Sequence, residues 1–111
     1  MNKQPLKERI LETLKSCGKS TFSEMSMQLN RDGACIKGNQ ILMDNTESAY
    51  FWWDLSSDFV ESIIELEQEG RIAIKPIDKM VYFVNGGKIP KEEIEVDGKT
   101  LVWEPTVIVL E

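Results

Sequence analysis

Residues 56–72, SSDFVESIIELEQEGRI, constrain the fold more than any other stretch of this chain. Phe59, Val60, Ile63, Ile64 and Leu66 fall on one side of a helical projection. Asp58, Glu61, Glu65 and Glu69 recur at intervals of three and four on the other. Ser56 suits an N-cap, Asp58 sets negative charge against the positive helix end, and Gly70 suits the stop. A helix of this length owes its stability to what packs on its apolar side, so the rest of the chain has to supply that cover.

Two more helices are expected ahead of it. In PLKERILETLKS, residues 5–16, Leu6, Ile10 and Leu14 repeat every fourth position and Leu11 widens the stripe. Pro5 suits a first helical position, and Gly18 stands just past the end. The next begins near Thr21, where Thr21 and Glu24 have capping-box spacing and Phe22, Met25 and Leu29 form the apolar side. It ends around Asn30-Arg31-Asp32-Gly33. Met25 and Met27 read as core filler.

Strands are expected elsewhere. Gln40 to Asp44 and Ala49 to Trp53 flank the turn chemistry of Asn45-Thr46-Glu47-Ser48, which predicts a β-hairpin. Beyond Gly70, Ile72-Ala73-Ile74 and Met80 to Val84 predict a second hairpin, turning within Pro76-Ile77-Asp78-Lys79. Asn85 to Pro90 reads as a linker. Another strand pair is expected between Glu93 and Leu110 around Asp97-Gly98. Pro105 confines the last strand to an edge or delays its start.

Helix, helix, amphipathic helix and then a strand pair is the element order of a winged helix-turn-helix domain. The run IIELEQEGRIAIKP…MVYFV resembles that family's third helix, glycine stop and wing. The expected fold is therefore α+β, one domain over residues 1–111. Residues 5–84 form a winged-helix-like core of three helices and a β-hairpin wing. The aromatic hairpin is inserted between the second and third helices, and residues 85–111 form a C-terminal β extension. The resemblance implies that Ser57, Asp58, Glu61, Ser62, Glu65 and Glu69 face a DNA groove, with Arg71, Lys75 and Lys79 on the wing. The chain departs from the family in the long connection between the second and third helices and in the sign of charge at those reading positions.

Charge argues against such a use. Residues 1–31 hold six Lys and Arg against three Asp and Glu, net +3. Residues 32–70 hold one lysine against nine acids, net −8, and residues 71–111 are net −1. Phosphate contacts need cations, and a carboxylate about 4 Å from a phosphate costs about 1 kcal/mol even in bulk water. Glutamate can accept from cytosine, but four acids on one face cannot all do so. The acidic side is then a solvated surface or a docking face for a basic partner. DNA binding remains open through the positive first region, Lys3, Lys7, Arg9, Lys15 and Lys19, together with the wing cations.

Tyr50-Phe51-Trp52-Trp53 is the other unusual feature. In a strand Tyr50 and Trp52 share one face, and Phe51 and Trp53 the other. One pair can cover the helices. The other needs cover from the strands carrying Leu101 and Trp103, or from a second chain, since Trp and Tyr are enriched at binding hot spots. Base stacking would also need a cationic groove, and only Lys37 lies nearby.

Several classes of chemistry are excluded. The chain has no histidine, so Ser-His-Asp and Cys-His nucleophile activation and the usual zinc and iron sites are absent. No phosphate-binding glycine motif occurs; Gly86-Gly87 stands alone. Carboxylate pairs can do acid–base work, but 19 acidic residues make chance proximity ordinary. Cys17 and Cys35 form no CxxC pair and fit a reducing compartment. No apolar run reaches the roughly 20 residues needed to span a bilayer, and the start MNKQPLKERI lacks a signal-peptide apolar region. The expectation is a cytoplasmic, non-enzymatic regulatory or adaptor domain without cofactor or metal. It acts through protein contacts or as a homodimer by way of Tyr50, Phe51, Trp52, Trp53, Asp58, Glu61, Glu65 and Glu69. The alternative is a DNA-binding transcription regulator using the first helix and the wing.

Overall fold

In the computed structural model, residues 4–34, 36–44, 46, 48–84 and 89–111 are described. Lys3, Cys35, the turn residues Asn45 and Glu47 and the linker residues Asn85 to Lys88 lie outside them.

Local chemistry sets the helix ends. Helix α1 (Gln4–Cys17) buries Ile10, Leu11 and Leu14 and stops at Gly18, whose φ of 80° suits a residue without Cβ. Strand β1 (Lys19–Thr21) leads straight into α2 (Phe22–Arg31). Thr21 caps α2 by accepting from the Glu24 N–H at 3.1 Å, while the Glu24 carboxylate accepts from the Thr21 N–H at 3.1 Å. Helix α3 (Ser57–Gln68) is capped by Ser56, which accepts from the Phe59 N–H at 3.2 Å. It ends in a Schellman turn: the Gly70 N–H reaches the Glu67 carbonyl and the Arg71 N–H the Leu66 carbonyl, each at 3.0 Å. Phe59, Ile63 and Leu66 are its buried ridge, each worth about 1.5–3 kcal/mol of transfer free energy.

The remaining elements are β2 (Lys37–Met43), β3 (Ala49–Leu55), β4 (Ile72–Pro76), α4 (Met80–Val84), β5 (Glu93–Val96), β6 (Lys99–Trp103) and β7 (Thr106–Leu110). They complete a mixed α+β fold with two sheets. One is antiparallel in the order β1-β7-β4, and the other runs β2-β3-β6-β5. In the second, β2 and β3 are an irregular antiparallel hairpin, and β3 pairs in parallel with β6. Asp97 and Gly98 take φ of 50° and 79°, the left-handed pair that a two-residue turn between β5 and β6 needs. Strand β7 starts just after Pro105 and is central in its sheet, so the proline delays the strand and does not mark an edge.

The second expected hairpin is corrected. Met80–Val84 is a short helix, and β4 pairs with β7, not with residues 80–84. Asp78 Oδ1 accepts from the Met80 N–H at 2.9 Å, and the Val81 and Tyr82 N–H groups close turns onto Asp78 and Lys79. This turn aims Tyr82 inward. Its hydroxyl donates to the Thr106 carbonyl at 2.6 Å and accepts from the Phe22 N–H at 3.2 Å. An apolar run of five residues fits either a strand or one helical turn, and this long-range anchor selects the helix.

The core joins all layers. Tyr82 stacks on Trp52 at 5.6 Å between ring centres and meets Trp103 edge-on at 5.4 Å; Trp52 stacks on Phe22 at 6.3 Å. Trp103 thus extends the cluster from β6, beside β3, where its indole N–H donates to the Phe51 carbonyl at 3.3 Å.

Candidate functional site

The expected aromatic faces separate by burial but not cleanly, because the Trp53 ring meets the Trp52 ring edge-on at 4.8 Å between centres. Tyr50 and Trp52 are buried, whereas Phe51 and Trp53 are half-buried. The Tyr50 hydroxyl donates to the Lys91 carbonyl, and burial raises its pKa. Trp53 borders a cleft of about 400 Å³ against α2, beside the exposed Met27. Phe51 opens into a different space.

That space is a groove of about 810 Å³ between the β2–β3 hairpin, α3 and β4. Its apolar lining is Ile41, Leu42, Met43, Phe51, Val60, Ile64 and Ile74. Ile64 is 40% exposed and Met43 36%, so both leave apolar surface open on this groove. Gln40, Asp44, Glu67 and Gln68 complete the lining, so among the described residues it carries acids and amides without a cation. Asp44 also organises the hairpin turn: its carboxylate accepts from Thr46 Oγ1 at 2.8 Å and from the Ser48 and Ala49 N–H groups at 3.1 and 3.2 Å. Desolvation pushes its pKa up, but these hydrogen bonds outweigh that and hold it below the ordinary carboxylate value.

The acidic side of α3 is divided. Glu61 is exposed and Asp58 half-buried. Ser62 is fully buried, its hydroxyl donating to the Asp58 carbonyl at 2.7 Å, so the expected groove-facing role for Ser62 is corrected. Glu65 and Glu69 turn toward α1, where the Lys7 ammonium lies 2.7 Å from Glu65 Oε1 and 3.0 Å from Glu69 Oε2. Lys7 is 7% exposed, and its hydrogen bonds to Glu65 and then Glu69 raise its pKa. The placement of Lys7 as an outward cation for nucleic acid is corrected too: the ion pairs across the α1–α3 contact consume it.

The other expected cations are dispersed. Arg9 donates to the Asp32 carbonyl, and Lys15 and Lys19 are exposed at the far end of α1 and on β1. Arg71, Lys75 and Lys79 are exposed along β4 and its exit, with Lys79 3.8 Å from Glu92. The exposed Cys17 thiol donates to the Lys19 carbonyl at 2.9 Å. Among the described residues no cluster of three or more acids and cysteines is placed to hold a metal, and no helix is long and apolar enough to cross a membrane.

Helix α4 adds a second apolar patch, with Met80, Val81, Phe83 and Val84 exposed around the inward Tyr82. The groove residues Ile41, Met43, Ile64 and Ile74 were not singled out by the sequence, although a signal exists. The apolar side of α3 has two ridges, 59-63-66 and 60-64, and a helix that buries only one presents the other. No protein-family model matches this chain, and no curated protein or solved structure matches it.

Proposed function

We propose that this chain is a non-enzymatic, winged-helix-like regulatory or adaptor domain that works through protein contacts. The winged-helix part is supported by element order. Helix α1 packs on both α2 and α3, and the antiparallel pair β4–β7 follows the third helix. On this reading β2 and β3 belong to an insertion between the second and third helices, and α4, β5 and β6 lie in the chain between the two strands of the wing.

One observation carries the protein-contact part. The outward side of α3, the element that would have to enter a DNA groove, contains no lysine or arginine between Ser57 and Gln68 and presents Ile64 to solvent. Lys7, the nearest cation on α1, is held by Glu65 and Glu69. Affinity for a duplex rests largely on cations that displace phosphate counterions, at about 0.9 released per contact, and this surface offers none. An apolar ridge beside carboxylates suits a protein partner instead.

The test is binding of the purified chain to mixed-sequence duplex DNA across a salt series, beside light scattering for mass. The expected result is no saturable binding at low ionic strength, for wild type and for the double variant Lys75→Glu, Lys79→Glu alike. Tight wild-type binding with a steep salt slope, abolished in the double variant, would establish a DNA-binding regulator instead.

A further inference from the structure

We infer that the groove between α3 and the β2–β3 hairpin takes an extended, basic segment of a partner protein, added as a strand to the free edge of β2. This rests on the protein-contact function proposed above and specifies its surface and the chemistry of its partner.

The backbone of β2 is the first support. The sheet order β2-β3-β6-β5 leaves β2 with a strand partner on one side only among the described residues. Its residues 37–40 are all exposed, without the alternation of a strand that has one covered face. Five consecutive residues, Gln40 to Asp44, border the groove, although Leu42 itself points into the core. Register shifts between Gln40, Leu42 and Met43 kink β2 here and bring successive residues to the same space. An edge of this kind is a template for another strand, and an extended peptide supplies the missing hydrogen bonds where a helix, internally satisfied, cannot.

The side chains supply the second support. A strand laid along β2 sends alternate residues toward Ile41, Phe51, Val60, Ile64 and Ile74, an apolar floor with Ile64 at its most open point. Asp44 and Glu67 belong to the same lining, which among the described residues carries no cation, so long basic side chains flanking the apolar ones can reach both carboxylates. Residues 32–70 are net −8. A partner with alternating apolar and basic residues matches both sets. A second copy of this chain matches less well, because two chains of net −6 repel each other on approach whereas a basic segment is attracted.

The probe is a short, acetylated and amidated peptide of alternating lysine and valine, titrated into the 15N-labelled full chain. Amide shifts are expected to concentrate at residues 39–44 and 60–68, and Ile64→Ser is expected to weaken binding about tenfold, as removal of a central anchor does. Val60→Thr, a milder change on the same ridge, is expected to weaken it by a smaller factor. The same peptide N-methylated at its central residues, which cannot complete a ladder, is expected to lose binding. Three results would overturn the inference: no shifts at saturating peptide, equal binding by the N-methylated peptide, or broadening at these residues from self-association without peptide. If duplex DNA is not bound and the peptide also fails, only this groove assignment falls. If DNA is bound through Lys75 and Lys79, the protein-contact function falls with it.

Discussion

Lys7 and Glu65, on the first and third helices, are joined by a 2.7 Å ion pair, and the same ammonium reaches Glu69 at 3.0 Å. One cation thereby takes two carboxylates out of the acidic face of α3 and locks the α1–α3 seam. Its aliphatic stem is packed while its charged end meets both acids, the usual geometry of a lysine at the border of a core.

This pair gives a pH dependence. The folded-state pKa of Lys7 is raised above its ordinary 10.5, so its stabilisation is complete below that pH and is lost as the pH rises through the folded value. Lys7→Met keeps the stem and removes the charge. Its melting temperature is expected to lie below wild type by a constant gap from neutral pH to about 10, with the gap closing above 10.5. A gap that persists unchanged at high pH would show that the stem, not the charge, matters.

Tyr82 titrates in the same range with a different signature. Burial, reinforced by the negative charge of Glu24, pushes its hydroxyl up to about 12, although the Phe22 N–H bond pulls the other way. Between about pH 10 and 12 the unfolded phenol ionises and the folded one does not, so stability falls across that window, by about 2–3 kcal/mol at its upper end. Tyr82→Phe is expected to flatten this decline in urea midpoints measured against pH. At neutral pH it is expected to cost about 1–3 kcal/mol, because the buried Phe22 N–H loses its acceptor.

Gly38 is required by close approach. A Cβ there would lie 2.6 Å from the Leu55 carbonyl oxygen and 2.8 Å from the Ser56 Cα, both backbone atoms. Beside this contact the Ser56 N–H donates to the Ile36 carbonyl at 2.7 Å. Gly38→Ala is expected to destabilise by about 1–3 kcal/mol, read by chemical denaturation, through displacement of β2 from the end of β3.

Thr106 predicts a gain. Its Oγ1 is buried with no hydrogen-bond partner among the described residues, at the start of the central strand β7. Thr106→Val preserves shape and removes an unsatisfied group, so thermal unfolding is expected to shift upward, by up to about 1–2 kcal/mol in stability. A clear loss would mean that the hydroxyl has a water partner.

Much of this was legible from the residues in order. The Thr21–Glu24 capping box, the Ser56 cap, the stops at Gly18 and Gly70 and the Asp97-Gly98 turn are decided within a few residues, by hydrogen bonds and φ preferences that local sequence carries. The three helices and the aromatic hairpin follow from periodicity for the same reason. Tertiary structure alone decided which strand β4 pairs with, whether residues 80–84 are extended or helical, and where the acids of α3 point. Lys7 and Glu69 are 62 residues apart, and no pattern in either helix marks them as neighbours. Strand partners and ion pairs of that separation depend on how preformed elements dock, because the contact free energy exists only after the chain has brought them together.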